Sequence, residues 1–171
     1  MKQLNVFEST DTERTVSSID VHYWQLFTDG ASRNNPGPAG VGIVINKDNE
    51  LVEQHGFFVG IKTNNQAEYL ALLIGLIRIR QLMNPNDLLL INSDSELLVR
   101  QIKGIYRIKN PDLKPLYKAV CSLLTNIQYD IGHVLRDKNK QADALANQGL
   151  DRKTRVPEDF LKVLYEYNIS L

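Results

Sequence analysis

The period of hydrophobic positions changes several times along the chain, and each change marks an element. Residues 1 to about 20 are mostly polar and read as a flexible lead-in with a short strand in QLNVF. VHYWQLFTD, residues 21–29, is rich in β-branched and aromatic residues and predicts a strand with Trp24 in the core. Asp29-Gly30 and the breaker-rich loop GASRNNPGPAG are expected to end it. Residues 41–60 predict two strands joined by a hairpin turn at NKDNE. The first third is thus expected to be a three-stranded antiparallel meander.

From Asn65 to about Leu82 the period lengthens. Leu70, Leu73, Ile74, Leu76, Ile77 and Leu82 recur at helical spacing until NPND stops the run. Asn65 has the chemistry of an N-cap, and Glu68 stands three residues on, where a capping-box glutamate folds back. LLLIN, residues 88–92, is a short apolar strand of the kind buried on both faces beside a parallel neighbour. Helices follow from about Ser95 to Lys103 and Pro111 to Asn126, then a strand from about Gln128 to Leu135 and a helix from about Asn139 to Lys153. The tail VPEDFLKVLYEYNISL predicts a last short helix packed on the domain. Right-handed crossovers in the order βββαβααβα set the fourth strand beside the first, giving an α/β fold with a mixed five-stranded sheet and helices on its faces.

Composition narrows the partners. A chain of 171 residues with 43% hydrophobic content suits one domain. Twenty basic and twenty acidic residues cancel, so a polyanion would have to be met by a local patch. Arg100, Lys103, Arg107, Lys109, Lys114 and Lys118, set against Asp112 alone in that stretch, are the candidate patch. The one cysteine, Cys121, excludes an internal disulfide and a cysteine-built zinc site, and its setting AVCSLL predicts a buried, inert thiol. No basic start precedes an apolar run, and no apolar span reaches membrane length. The expectation is a soluble, cytoplasmic monomer with no membrane partner.

In such sheets ligands sit at the carboxyl ends of the strands where strand order reverses, and four acids are placed there. Asp29 closes the first strand, Asp94 closes the fourth in INSDSE, Glu68 lies in the first turn of the first helix, and Asp143 lies near the start of the last main helix. Each alone has a local explanation. Asp-Gly after a strand is commonly a turn. Ser93 and Glu96 have capping-box spacing around Asp94, and Asp143, one turn after an Asn139 N-cap, suits the helix dipole. Together, four converging carboxylates repel and persist only if they share protons or cations. Hard oxygen ligands without a His or Cys cluster select Mg²⁺ or Mn²⁺. Two such ions about 4 Å apart activate a water and stabilise the leaving oxygen of an in-line phosphodiester displacement. The pattern reads as a nuclease site.

FTDGASRNNPGPAGVGIVI, TNNQAEYLALLIGL, INSDSELLVRQIKG and HVLRDKNKQADALAN resemble, in order and spacing, the four acid-bearing motifs of type 1 ribonuclease H, over about residues 22–150. The resemblance implies a ribonuclease H-like fold with strand order 3-2-1-4-5 and a catalytic domain over residues 21–153, followed by an extension over 154–171. It implies endonucleolytic hydrolysis of the RNA strand of an RNA/DNA hybrid, with two Mg²⁺ ions when substrate is bound and Mn²⁺ as a substitute, leaving 5′-phosphate and 3′-hydroxyl ends. The family's catalytic, metal-binding tetrad falls on Asp29, Glu68, Asp94 and Asp143. Its nucleic-acid contacts fall on Asn35, Thr63, Asn64 and Asn65, where an amide is both donor and acceptor, as is a 2′-hydroxyl.

The chain departs from well-studied bacterial members in two places. Those carry a Gly-His-rich loop with a histidine ten residues before the last aspartate. His133 stands at that spacing, but GHVLRDKNK resembles the strand-then-loop version of archaeal-like and plant-like relatives, leaving Arg136 or Lys138 to meet phosphate. They also carry a basic, Trp-containing protrusion after the third motif, where this chain has the short RQIKGIYRIKNPDLKPLYK. Two competing readings are a nuclease of the same superfold that also accepts double-stranded RNA and a silent hybrid-binding module. The intact tetrad speaks against silence.

Overall fold

The computed structural model describes residues 20–171, so the expected lead-in and its QLNVF strand lie outside the described residues. Three strands come first: β1 (Tyr23–Ser32), β2 (Gly37–Lys47) and β3 (Glu50–Lys62). Then follow α1 (Asn64–Leu82), β4 (Leu88–Ser93), α2 (Glu96–Ile102), α3 (Leu113–Leu124), β5 (Gln128–His133), α4 (Lys140–Arg152) and α5 (Glu158–Glu166). The sheet order is β3-β2-β1-β4-β5. β1–β2 and β2–β3 are antiparallel, whereas β1–β4 and β4–β5 are parallel, so strand direction reverses beside β1. This is the mixed 3-2-1-4-5 sheet that the sequence predicts.

Local chemistry explains the meander. β2 and β3 are joined by Asp48 and Asn49 at φ 51° and 68°, the left-handed geometry that a two-residue hairpin turn demands and that Asp and Asn tolerate. Asp48 then accepts from the Tyr23 N–H at 2.9 Å, tying the turn to the start of β1. Trp24 is in the core, as predicted, and its indole N–H donates to Asp87 Oδ2 at 2.9 Å.

α1 is the central pillar, buried on nearly every side between the sheet, α3 and the C-terminal segment. α4 lies on the opposite face against β2 and β3. Its approach is so close that a Cβ on Gly42 would stand 2.0 Å from the Ala142 carbonyl oxygen, and one on Gly56 2.1 Å from that of Leu145. The tail shares the same core. Val156, Phe160, Leu164 and Ile169 are buried, and the Phe160 ring meets Phe57 edge to face at 6.2 Å.

Five expectations need correction. Asp29-Gly30 does not end β1, which pairs onward through Gly30, Ala31 and Ser32 because the glycine admits α1 against the strand. The N-cap of α1 is Thr63, not Asn65. Thr63 Oγ1 accepts from Gln66 N at 3.2 Å while Gln66 Oε1 accepts from Thr63 N at 2.8 Å, a complete capping box that leaves Glu68 with no capping task. α2 is capped by Ser95, which accepts from Leu98 N at 3.3 Å, not by Ser93. LLLIN is buried on one face only: Leu89 and Ile91 are in the core, but Leu90 is 37% exposed because α4 lies over β1, β2 and β3. Cys121 is exposed, because it lies about 100° around α3 from buried Val120.

Candidate active site

Parallel pairing of β1 with β4 aligns Thr28 with Ser93, which brings the next residue of each chain, Asp29 and Asp94, to one edge. α1 adds Glu68 because Gly30 has no side chain. A Cβ at Gly30 would stand 2.2 Å from both Ala67 C and Glu68 N, so only glycine lets the helix carry Glu68 to the strand. The Gly30 backbone N–H favours the charged form of Glu68, against the larger effect of burial. One ligand oxygen from each of Asp29, Glu68 and Asp94 lies within 4.8 Å of the other two.

Asp143, in the first turn of α4, faces the same cavity of about 350 Å³, which Asn64, Arg136 and Asn147 also line. It stands outside the tight trio. Its Oδ1 accepts from Arg136 Nη2 at 3.0 Å. All four acids are therefore brought to one cavity, three in mutual reach and the fourth across it beside an exposed guanidinium.

Burial sets the electrostatics. Asp29 and Glu68 are only 5% and 6% exposed. Burial, then the charges of Asp94 and Asp143, push the Asp29 carboxyl up to about 8 from its ordinary 3.8. Glu68 is held well above its usual range, first by burial and then by Asp29 and Asp94. Glu68 Oε2 is buried with no hydrogen-bond partner. A buried acceptor without a donor, among oxygens that raise one another's proton affinity, fits a hard divalent cation. The donor set holds no nitrogen or sulfur.

A pH dependence follows from these shifts. Between about pH 4 and pH 8 the unfolded chain has released the Asp29 proton while the folded chain keeps it, so the folded state binds more protons and stability falls as pH rises. Glu53, held down to about 2 by its hydrogen bonds from Arg78, adds stability that rises with pH only through its ordinary value of 4.5 and is constant above it. Without divalent cation the melting temperature is expected to fall from pH 5 to pH 8. Mn²⁺, which replaces the proton, is expected to raise it more at pH 8 than at pH 5. Thermal melts in EDTA and in Mn²⁺ check this, and a metal-free melting temperature that climbs over the window contradicts it.

Known proteins resemble this chain. A family model described as reverse transcriptase-like matches residues 27–149. Ribonuclease HI from Halobacterium salinarum is 40% identical over 127 residues, covering 73% of this chain and 63% of its own length. Ribonuclease H from Shewanella baltica is 33% identical over 148 residues, covering 78% of this chain and 92% of its own. The chain belongs to the type 1 ribonuclease H family. Among solved structures, LC11-RNase H1 in complex with an RNA/DNA hybrid superposes with a TM-score of 0.71 at 33% identity, covering 75% of this chain and 97% of that one. The chain spans less than two thirds of the halobacterial relative.

The ribonuclease H contacts expected around the tetrad are only partly gathered. Asn35 Oδ1 accepts from Asn64 N at 3.0 Å, which sets Asn35 beside the cavity that Asn64 lines. Thr63 is engaged in its capping box, and Asn65 is exposed on the first turn of α1. His133 ends β5 with Nε2 3.2 Å from the Asp94 carbonyl oxygen. Arg136, not Lys138, is the cation on the cavity. The basic stretch is less free than its sequence suggests, because Arg100 pairs with Glu96 at 2.7 Å and Lys103 lies 3.9 Å from Asp130. Arg107, Lys109, Lys114 and Lys118 stay exposed.

Sequence reasoning missed Asn139. It precedes α4 as predicted, but its side chain makes no cap bond and instead donates to Asp94 Oδ1 at 2.8 Å. Nothing in a sequence separates an asparagine that caps from one that turns inward.

Proposed function

We propose that the protein is an endoribonuclease that hydrolyses the RNA strand of RNA/DNA hybrids, leaving 5′-phosphate and 3′-hydroxyl ends. The observation that carries this is the trio of carboxylate oxygens within 4.8 Å of one another, with Glu68 Oε2 unpartnered, in a chain of the type 1 ribonuclease H family. The solved complex of LC11-RNase H1 with an RNA/DNA hybrid supports the substrate class.

Asp29 and Asp94 would be the central ligands of two Mg²⁺ ions, or Mn²⁺ in their place, with Glu68 completing one site near the RNA 2′-hydroxyl and Asp143 near the attacking water. The bound ions supply Lewis-acid stabilisation of the phosphoryl charge and a water of lowered pKa. The chain's own groups do the rest. Burial raises the proton affinity of Asp29 and Glu68, so each would release any proton it holds as it takes up the cation. Arg136, already drawn to Asp143, offers a guanidinium to the phosphate. The Asn35–Asn64 pair and the neighbouring Thr63 and Asn65 address the minor groove, where 2′-hydroxyls distinguish RNA from DNA. Exposed Arg107, Lys109, Lys114 and Lys118 give a neutral protein a local hold on the hybrid's backbone, so affinity falls as salt rises. The catalytic domain in this reading is residues 21–153, with 154–171 as an extension. It works as a cytoplasmic monomer.

Labelled RNA/DNA, RNA/RNA and DNA/DNA duplexes, each incubated with Mg²⁺, Mn²⁺ or EDTA, test the proposal. The expected result is cation-dependent loss of the RNA strand from the hybrid, with 5′-phosphate ends on the products. Intact hybrid in Mg²⁺ and in Mn²⁺ would sink it, and tight binding without cleavage would point to the silent module. Cleavage of RNA/RNA at a similar rate would widen the substrate class.

A further inference from the structure

We propose that Asn139 is a positioning residue for the acid cluster, its side-chain amide fixing Asp94 relative to β1 and α4 and so setting the geometry in which a divalent cation is held. The proposal rests on the reading of the cluster as a metal site.

The side chain is placed for the bonds that its nitrogen makes. Asn139 is 1% exposed and stands at the N-cap of α4, at φ −111° and ψ 10°, yet it makes no side-chain cap bond. Its Nδ2 donates to the Thr28 carbonyl at 2.9 Å and to Asp94 Oδ1 at 2.8 Å. A main-chain carbonyl accepts only, as does an ionised carboxylate, so the NH₂ group and not the amide oxygen must face the pair. The amide oxygen is buried with no partner, as is Thr28 Oγ1. An asparagine that forgoes its cap and buries an unpaired oxygen is otherwise poorly placed.

Through those bonds one residue touches the segments that carry three of the four acids. Thr28 immediately precedes Asp29 on β1. Asp94 is bonded directly. The Asn139 main-chain oxygen accepts from Asp143 N at 3.1 Å, one helical turn on. With Oδ1 of Asp94 held by a fixed donor, the carboxylate keeps one rotamer and its second oxygen is left to ligate. This is the relation of an outer-shell hydrogen-bond donor to the ligand that it orients.

Asn139→Ala removes the amide. Asn139→Ser restores a good helix cap, since serine caps about as well as asparagine, but its hydroxyl is too short to span Thr28 and Asp94. Mn²⁺ binding to the folded protein without substrate, followed by calorimetric titration and by the Mn²⁺ concentration that gives half of the full thermal stabilisation, is the readout. Both variants are expected to need roughly tenfold more Mn²⁺, with a matching rise in the Mn²⁺ required for half-maximal cleavage. A residue that only supports the helix would lower the metal-free melting temperature and leave the Mn²⁺ midpoint in place, most clearly in the serine variant. A wild-type midpoint in either folded variant overturns the proposal, and so does failure of both to fold by circular dichroism, which would mark Asn139 as structural. Absence of Mn²⁺ binding by the wild-type protein would instead be a failure of the metal-site reading itself.

Discussion

Asp94→Asn is expected to lower cleavage of an RNA/DNA hybrid by more than about a hundredfold, beyond what loss of an outer-shell contact costs, while leaving the protein folded. The two halves of that result have separate causes. Asp94 contributes one of the three clustered oxygens, and an amide in its place is a far weaker ligand for a hard cation. The fold does not depend on the charge. An asparagine there still offers an oxygen to the Asn139 amide, and the Asp94 charge that raises Asp29 and Glu68 is gone. Stability should stay level or rise by up to about 1 kcal/mol, as is common when a strained functional cluster is relaxed. Hybrid cleavage beside a thermal melt checks both halves. Retained cleavage would remove Asp94 from the chemistry, and a large fall in melting temperature would give it a structural role.

Gly30→Ala should damage the same site by a different route. The added methyl would stand 2.2 Å from the backbone of Ala67 and Glu68, where no flexible side chain is available to move aside. Either β1 or the first turn of α1 must shift, and α1 is the element around which the core is packed. Overpacking of this kind costs about 1–3 kcal/mol. Displacement of Glu68 by about 1 Å should lower cleavage by about a hundredfold. Denaturant unfolding and single-turnover cleavage measure the two effects. A variant as stable and as active as the wild type would show that the contact between β1 and α1 is loose.

Much of the fold was legible because periodicity reports burial directly. The β-branched and aromatic run of β1, the turn residues between β2 and β3, the long helical stripe of α1 and the pattern of the tail each predict the element observed. What a sequence does not carry is the direction of a particular side chain. Thr63, Asn64 and Asn65 are all competent caps, and only the extended backbone of Thr63 at the end of β3 decides among them. Gly30 looks like a turn residue because turns and close helix–strand contacts both require a missing Cβ. Cys121 has apolar neighbours in sequence but lies on the outward side of its helix.

The site was legible for a different reason. No single acid among Asp29, Glu68, Asp94 and Asp143 stands out from ordinary turn and cap chemistry, and topology made them one group before any coordinates were needed. The division of the four into a tight trio and an outlying Asp143 paired with Arg136 depends on side-chain reach, and so stayed hidden. So did Asn139, whose residue type and position satisfied a simpler explanation.

The last acid to join the cluster also arrives last in the chain. Asp143 is carried by α4, which packs closely on β2 and β3 at Gly42 and Gly56. The other three acids precede it by dozens of residues. On the ribosome, then, the chain has no complete cluster until α4 has left the exit tunnel.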